Sequence, residues 1–239
     1  MRIQYLALLM AVMAASVQAE ESTLRKTLTE RSPLLKIEKI HATPIAGVFE
    51  VVTGDRQVFY TDAKGDYVLT GHLIETATRN NLTRQRIEGL NVVNFESLPF
   101  AKAIPVVRGN GSRKLAVFSD PDCPYCKELE KELALLNDVT IYVFLYPIAS
   151  LHPEATKHAK AIWCAPDRAR SWNAHMLEGK QPSGEGTCDD PVDELVALGS
   201  SLGINATPTM IFTNGKRVTG SQSAGQIEAL LKTSIVATK

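Results

Sequence analysis

The chain has 239 residues, with 26 basic and 26 acidic side chains, and 44% of its residues are hydrophobic. The formal net charge of zero gives no reason to expect nucleic acid or an anionic lipid surface as a partner. The length is sufficient for one large domain or two smaller ones.

Residues 1–19 have the pattern of a secretory signal peptide. Arg2 supplies a positive start, residues 6–17 are apolar, and Val17-Gln18-Ala19 offers the small residues of a cleavage site. A membrane anchor is the alternative, but the apolar run is short for a membrane span. We therefore predict cleavage after Ala19 and export of the remaining chain. The four cysteines, an even number in an exported chain, suggest two pairs.

Residues 20–78 predict a small module that is rich in β-strands. A short helical pattern covers 22–32 and is followed by short β-like runs at 35–40, 47–53, 57–61, 67–69 and 72–78. A module of roughly 60 residues has a marginal core, and its outer strands expose unpaired backbone groups. Pairing two copies edge to edge would address both problems. The sequence therefore favours a homodimer formed through this module.

Residues 79–104 predict a partly helical linker, which Gly89 and Pro99 interrupt. One more core helix is the alternative for this segment. From residue 105 onward the pattern changes to alternating strands and helices, which marks a second domain over 105–239.

The sequence Cys123-Pro124-Tyr125-Cys126 lies between a predicted buried strand, 114–119, and a predicted amphipathic helix, 127–136. Proline is tolerated in a first helical turn, so Cys123 is expected at the start of the helix. A thiolate there faces unpaired N–H groups and the positive end of the helix dipole, which lower the thiol pKa. We therefore predict a redox-active pair with Cys123 as the nucleophile. Two nearby acids, Asp120 and Asp122, would oppose this effect, and the sequence leaves the balance open.

Other C-x-x-C chemistries fit less well. Haem attachment needs a histidine at the position of Lys127, and zinc needs a second closely spaced pair. Cys164 and Cys188 instead flank a loop rich in Gly, Pro and Ser at 179–186, so we predict a structural disulfide between them. The five histidines are scattered without metal spacing, so no metal and no cofactor is predicted.

The order of the remaining elements is typical of a thioredoxin-like α/β domain with a helical insertion. The predicted elements are a central strand at 140–146, helices at 153–164, 167–178 and 191–202, a hairpin around Asn214-Gly215, and a last helix near 223–235. Thr207-Pro208 precedes the hairpin. In thioredoxin-like folds a cis proline at this place lies beside the dithiol and presents backbone to an extended substrate. A proline that only begins a strand is the alternative.

Beyond residue 19 the whole chain resembles the DsbC/DsbG family of bacterial periplasmic disulfide isomerases. The motifs that carry the resemblance are Pro44-Ile45-Ala46-Gly47-Val48, residues 58–62, residues 117–126, residues 161–165 and residues 203–209. The resemblance implies a cystatin-like dimerisation domain and a thioredoxin-like catalytic domain on each arm of a V-shaped homodimer. It also implies substrate contacts at Pro124, Tyr125, Thr207 and Pro208, and a reductant of the DsbD type in the inner membrane.

The implied function is isomerisation and reduction of wrong disulfides in misfolded exported proteins, with additional chaperone activity. The Cys164 and Cys188 pair resembles the DsbC branch, whereas the Pro124-Tyr125 dipeptide resembles the DsbG branch. The alternatives are a DsbG-like reductase and chaperone that protects single cysteines, a net oxidant, or a holdase whose dithiol is inessential.

Overall fold

The chain divides into two compact units, Met1–Asn91 and Val92–Lys239. The computed structural model describes residues 20–236 of them, so the predicted signal peptide lies outside the described residues. Within 20–236, no helix combines the length and the apolar character needed to cross a membrane.

The first unit packs helix α1, residues 20–31, against a four-stranded antiparallel sheet. The strands follow the order β1-β2-β3-β4, with bounds Ile37–Ala42, Val48–Thr53, Val58–Asp62 and Val68–Leu69. Leu24 and Leu28, one turn apart on α1, are buried with Ile40, Phe49 and Val51 of the sheet. This core is small, as the length of the module predicts.

A two-stranded ladder and a helix complete the first unit. The ladder joins β5 (Ile74–Glu75) to β6 (Asn80–Asn81), and α2 follows as Leu82–Leu90. The hydroxyl of Thr83 is buried, lies 2.5 Å from the hydroxyl of Tyr60 on β3, and accepts the N–H of Leu73. These bonds fix α2 to the sheet of its own unit.

The second unit is built on a five-stranded sheet in the order β11-β10-β8-β9-β7. Its strands are β7 (Ile104–Arg108), β8 (Arg113–Ser119), β9 (Val139–Leu145), β10 (Thr209–Phe212) and β11 (Arg217–Thr219). Its helices are α3 (Pro124–Leu133), α4 (Ala155–Cys164), α5 (Arg168–Glu178), α6 (Val192–Ser201) and α7 (Ala224–Val236). The β8 and β9 pair is parallel and the other pairs are antiparallel. The predicted thioredoxin-like order is confirmed, with α4 to α6 inserted between β9 and β10.

The predicted linker, residues 79–104, is divided between the two units. Residues 92–104 belong to the second unit, where five of them join the core: Val93, Phe95, Leu98, Ala103 and Ile104. Val93 also donates its N–H to the carbonyl of Gly215 in the β10–β11 hairpin. Gly215 has φ +79°, and a Cβ there would lie 2.4 Å from the carbonyl oxygen of Val93, so the turn requires glycine. Although the segment contains no regular α-helix, burial of its apolar side chains makes it part of the second unit.

Strand β8 lies inside the sheet, between β10 and β9. Its residues 115–119 are all buried, and Phe118 stacks on Phe144 of β9 with ring centroids 4.8 Å apart. The strand ends at Ser119, and the chain turns through residues 120–122 into α3. This turn places the cysteine pair at the buried end of a strand inside the sheet.

Candidate active site

Cys123 is the residue that caps the N-terminus of α3, and Pro124 occupies the first turn of that helix. The backbone of Cys123 is extended, at φ −71° and ψ 122°, and its carbonyl accepts the N–H of Cys126 at 3.1 Å. Both cysteines are free thiols, with 5% exposure for Cys123 and none for Cys126. The sulfur of Cys123 therefore lies near the protein surface at the start of the helix, and the sulfur of Cys126 lies in the interior.

The two thiols differ strongly in acidity. Hydrogen bonding from the Cys126 side chain, helped by the N–H groups of Cys126 and Tyr125 and by the Thr207 side chain, lowers the pKa of Cys123 to about 5 against the effect of burial. Burial, followed by the neighbouring Cys123, raises the pKa of Cys126. At neutral pH the pair is thus a thiolate at Cys123 and a protonated thiol at Cys126. One ionised sulfur beside one protonated thiol is the combination that thiol–disulfide exchange requires.

The segment Thr207-Pro208 lies beside the cysteine pair, although more than 80 residues separate it from Cys123 in sequence. The peptide bond between Thr207 and Pro208 is cis. The carbonyl of Thr207 lies 3.6 Å from Sγ of Cys123 and accepts from it when that sulfur is protonated. Pro124 and Tyr125 are exposed next to Cys123, with Tyr125 at 63%. The structure therefore brings all four predicted substrate-contact residues close to Cys123.

Asp120 has no exposed surface and is compensated locally. Its carboxylate accepts from the N–H groups of Asp122 and Ile148 at 2.8 and 2.7 Å, and lies 2.9 Å from Nδ1 of His152. The hydrogen bond to Asp120 is the main reason that the pKa of His152 is raised. These groups therefore compensate the carboxylate of Asp120. The sequence left open whether the two nearby acids outweigh the helix start, and the lowered pKa of Cys123 shows that they do not.

Asp122 meets two histidines that the sequence gave no reason to place together. Nδ1 of His158, on α4, lies 2.8 and 3.0 Å from the two carboxylate oxygens, and Nε2 of His175, on α5, lies 3.4 Å from one of them. These residues are separated by 36 and 17 positions, so no local spacing could have revealed the cluster. Only the packing of the helical insertion against the turn before α3 assembles it.

Glu130 is a second feature that sequence reasoning missed. It lies one turn after Cys126 and is 1% exposed, and its Oε1 has no hydrogen-bond partner among the described residues. Burial raises the pKa of Glu130 to about 7, against the effects of Trp172 and Arg108. A signal existed in the sequence, because positions 126, 129, 130 and 133 share one helix face.

Cys164 and Cys188 form a disulfide with a sequence separation of 24. It joins the end of α4 to the segment that precedes α6. The segment that it closes contains α5 and the irregular stretch that follows this helix.

Thiol–disulfide exchange needs one ionised sulfur and a second thiol within reach that stays protonated. A thioredoxin-like sheet that presents such a pair at a helix start defines the class of thiol–disulfide oxidoreductases. Comparison with known proteins gives the family. Residues 100–235 match the model of a thioredoxin-like domain, and residues 15–84 match the model of the disulfide bond isomerase protein N-terminal domain.

Individual relatives agree with these matches. The chain is 39% identical to a probable thiol:disulfide interchange protein DsbC of Bordetella pertussis, over 91% of this chain and 76% of the relative. It is 27% identical to the thiol:disulfide interchange protein DsbC of Escherichia coli K12, over 93% and 92%. A crystal structure of a disulfide interchange protein from Neisseria gonorrhoeae shares 48% identity at a TM-score of 0.56, and covers 57% of this chain and 98% of its own.

The chain belongs to the DsbC family of thiol:disulfide interchange proteins, and its activity is that of a thiol–disulfide isomerase and oxidoreductase. The predicted family, fold class and enzyme class are thereby confirmed. The match to the isomerase N-terminal domain also supports a homodimer.

Proposed function

We propose that Cys123 and Cys126 are the redox-active pair with which this protein rearranges and reduces wrong disulfides. The observation that carries the proposal is the contrast between the two thiols, with a pKa of about 5 for Cys123 and a raised pKa for the buried Cys126. The Cys123 thiolate attacks one sulfur of a substrate disulfide. A mixed disulfide forms, and the other substrate sulfur leaves as a thiolate.

Two routes resolve the mixed disulfide. In isomerisation, another substrate thiolate attacks the substrate sulfur bound to Cys123, so that a new substrate disulfide forms and the Cys123 thiolate is regenerated. In reduction, Cys126 loses its proton and attacks Sγ of Cys123, which releases the reduced substrate and leaves a Cys123–Cys126 disulfide. Neither route requires a cofactor or a metal.

Four residues are assigned to substrate binding in this proposal. The carbonyl of Thr207, which precedes Pro208, lies beside Cys123, where it can pair with the extended chain of a substrate. Pro124 and Tyr125 offer exposed apolar surface next to Cys123 in the chain. Contacts of this kind suit many sequences, in keeping with misfolded disulfide-containing exported proteins as the substrates.

The sheet edge at β4 is proposed as the dimer contact. Strand β4 pairs on one side with β3 and ends the sheet on the other. Around it Tyr67 is 75% exposed, Val68 58% and Leu69 61%. An apolar strand edge of this kind is a template for pairing with another chain. A second copy that pairs there would cover these side chains and extend a small core.

The cell compartment and the electron donor follow from the same reasoning. We place the protein in the periplasm, to which the predicted signal peptide, residues 1–19, would direct it. Isomerisation starts from the reduced pair, and every completed reduction consumes it. The proposal therefore includes a dithiol reductant of the DsbD type in the inner membrane, which returns two electrons to the Cys123–Cys126 disulfide.

A trapping experiment tests the roles of the two cysteines. The reduced Cys126→Ser variant is mixed with a protein that carries scrambled disulfides, with Cys123→Ser as the matched control. We expect Cys126→Ser to accumulate a covalent adduct that a reductant dissolves, since the resolving thiol is missing. Cys123→Ser should give none. An equal or larger amount of adduct in Cys123→Ser would overturn the assignment of the nucleophile.

A further inference from the structure

The cluster of Asp122, His158 and His175 lies directly before the nucleophile in the chain and plays no part in the exchange chemistry above. We propose that these three side chains form a binding site for one divalent transition-metal ion of the zinc type. Imidazole nitrogens with a carboxylate are a donor set that suits this class of ion. The scattered histidines predicted no metal site from sequence, because their proximity arises only in the fold.

The spacing of the donor atoms fits a single ion. One ligand atom from each residue can be chosen so that all of them lie within 4.8 Å of one another. Bonds of about 2.0–2.2 Å in tetrahedral geometry place ligand atoms roughly 3.3–3.6 Å apart. His175 Nε2 and Asp122 Oδ1, at 3.4 Å, already have this separation. His158 Nδ1 and Asp122 Oδ1, at 2.8 Å, would open by roughly half an ångström.

His175 is held in the orientation that a metal ligand requires. Its Nδ1 lies 2.9 Å from the carbonyl of Lys180, so Nδ1 carries the hydrogen and donates it. Metal-ligating histidines are commonly fixed in this way, by a backbone carbonyl on the other ring nitrogen. The residue is 2% exposed, so the ring is fixed before any ion arrives.

The other nitrogen of His175 gives an independent argument. Nε2 faces two oxygens, the carbonyl of Pro121 at 3.0 Å and the carboxylate of Asp122 at 3.4 Å. In the neutral ring with hydrogen on Nδ1, Nε2 is itself an electron-pair donor. Nε2 of His175 and these two oxygens are three electron-pair donors that converge on one point, which is the arrangement that a bound cation requires. The Pro121 carbonyl would be a further oxygen ligand for the cation.

An ion can reach this site from solvent. The side chains of Asp122 and His158 are 19% and 20% exposed, so solvent reaches these two residues. His175 is buried on the interior side of the cluster. By contrast His152, paired with the fully buried Asp120, faces a carboxylate that also accepts two backbone N–H groups. His152 is therefore a matched control: a histidine near the dithiol, paired with aspartate, outside the proposed site.

Binding of Zn²⁺ alone to the oxidised protein tests the proposal. With both disulfides formed no thiolate can bind the ion, so the result does not depend on the roles proposed for Cys123 and Cys126. We expect one Zn²⁺ per chain by calorimetry. Loss of a ligand in His158→Gln or Asp122→Asn should weaken binding at least about tenfold, and His152→Gln should bind as wild type does. Circular dichroism checks that each variant is folded.

Two results would overturn this site. One is wild-type protein that takes up no Zn²⁺ under these conditions. The other is a folded His158→Gln variant that binds Zn²⁺ as tightly as wild type does. Replacing Zn²⁺ by Co²⁺ adds a check on geometry, because tetrahedral nitrogen and oxygen ligation gives visible absorption that His158→Gln should diminish.

Discussion

Thr207→Val removes one hydroxyl beside the nucleophile and keeps the β-branched shape. The side chain of Thr207 is one of the groups that lower the pKa of Cys123. Its backbone carbonyl, 3.6 Å from Sγ, is retained in the variant. Thr207 is partly buried and the replacement has nearly the same volume, so the fold should be preserved.

The size of the effect follows from the worth of one hydrogen bond. A net contribution of about 0.5–1.5 kcal/mol corresponds to roughly one pKa unit or less. If the pKa of Cys123 rises from about 5 to about 6, the thiolate fraction near pH 5 falls from about one half to about one tenth. The reaction with an alkylating agent should slow about fivefold there, and hardly at all above about pH 7.

Thiolate absorbance in the ultraviolet, followed against pH in the reduced proteins, measures this shift. Thr207→Ser is the matched control, because it keeps the hydroxyl and loses only the methyl group, so its titration should stay close to that of wild type. Superimposable curves for Thr207→Val and wild type would refute the reasoning and leave Thr207 with a steric role.

Three further predictions concern stability and assembly. The pKa of Glu130 is raised from 4.5 to about 7, so ionisation of this group lowers the free energy of unfolding as pH rises between those values. In denaturation experiments at about pH 8, Glu130→Gln should therefore regain roughly 3 kcal/mol of the free energy of unfolding. Replacing Cys164 and Cys188 by serine should reduce the free energy of unfolding by about 3 kcal/mol in chemical denaturation, since the disulfide closes a loop in the unfolded chain. A fragment of residues 92–239 should sediment as a folded monomer that still reduces small disulfides but loses most isomerase activity.

Each of these has an outcome that speaks against it. A stability difference between wild type and Glu130→Gln that stays constant between about pH 5 and about pH 8 would mean that Glu130 does not titrate there. Unchanged denaturation midpoints in the serine double variant would deny the disulfide a stabilising role. A fragment that is dimeric would show that dimerisation does not require β4, which the fragment lacks. The fragment begins at 92 because residues 93–104 contribute to the core of the second unit.

The thioredoxin-like order could be predicted because its signals are local. Apolar runs marked β8 and β9, Asn214-Gly215 marked the last hairpin, and Pro124 marked the start of α3. Each of these depends on the period of a strand or helix, or on the φ preference of a turn residue. The dithiol was predicted for the same reason, since its chemistry is set by two residues and the helix that begins there.

The rest of the site depends on contacts between distant segments. Asp122, His158 and His175 come from a turn and two helices, and no periodicity links them. The pairing of Asp120 with His152 likewise spans 32 positions. The linker prediction followed Gly89 and Pro99 as breaks, whereas burial of side chains such as Phe95 decides to which unit the segment belongs. Packing of this kind is settled by the tertiary fold rather than by local propensity.

We propose that Cys123 is the ionised nucleophile and Cys126 its protonated partner. The decisive measurement is alkylation of the reduced native protein across a pH series, with the modified cysteine identified by peptide mass spectrometry. We expect modification at Cys123 alone, and the plot of rate against pH should have its inflection at a pH of about 5. Faster modification of Cys126 than of Cys123 would reverse the two roles. An inflection at pH 9.0, the ordinary value for a thiol, would mean that Cys123 is not ionised at neutral pH.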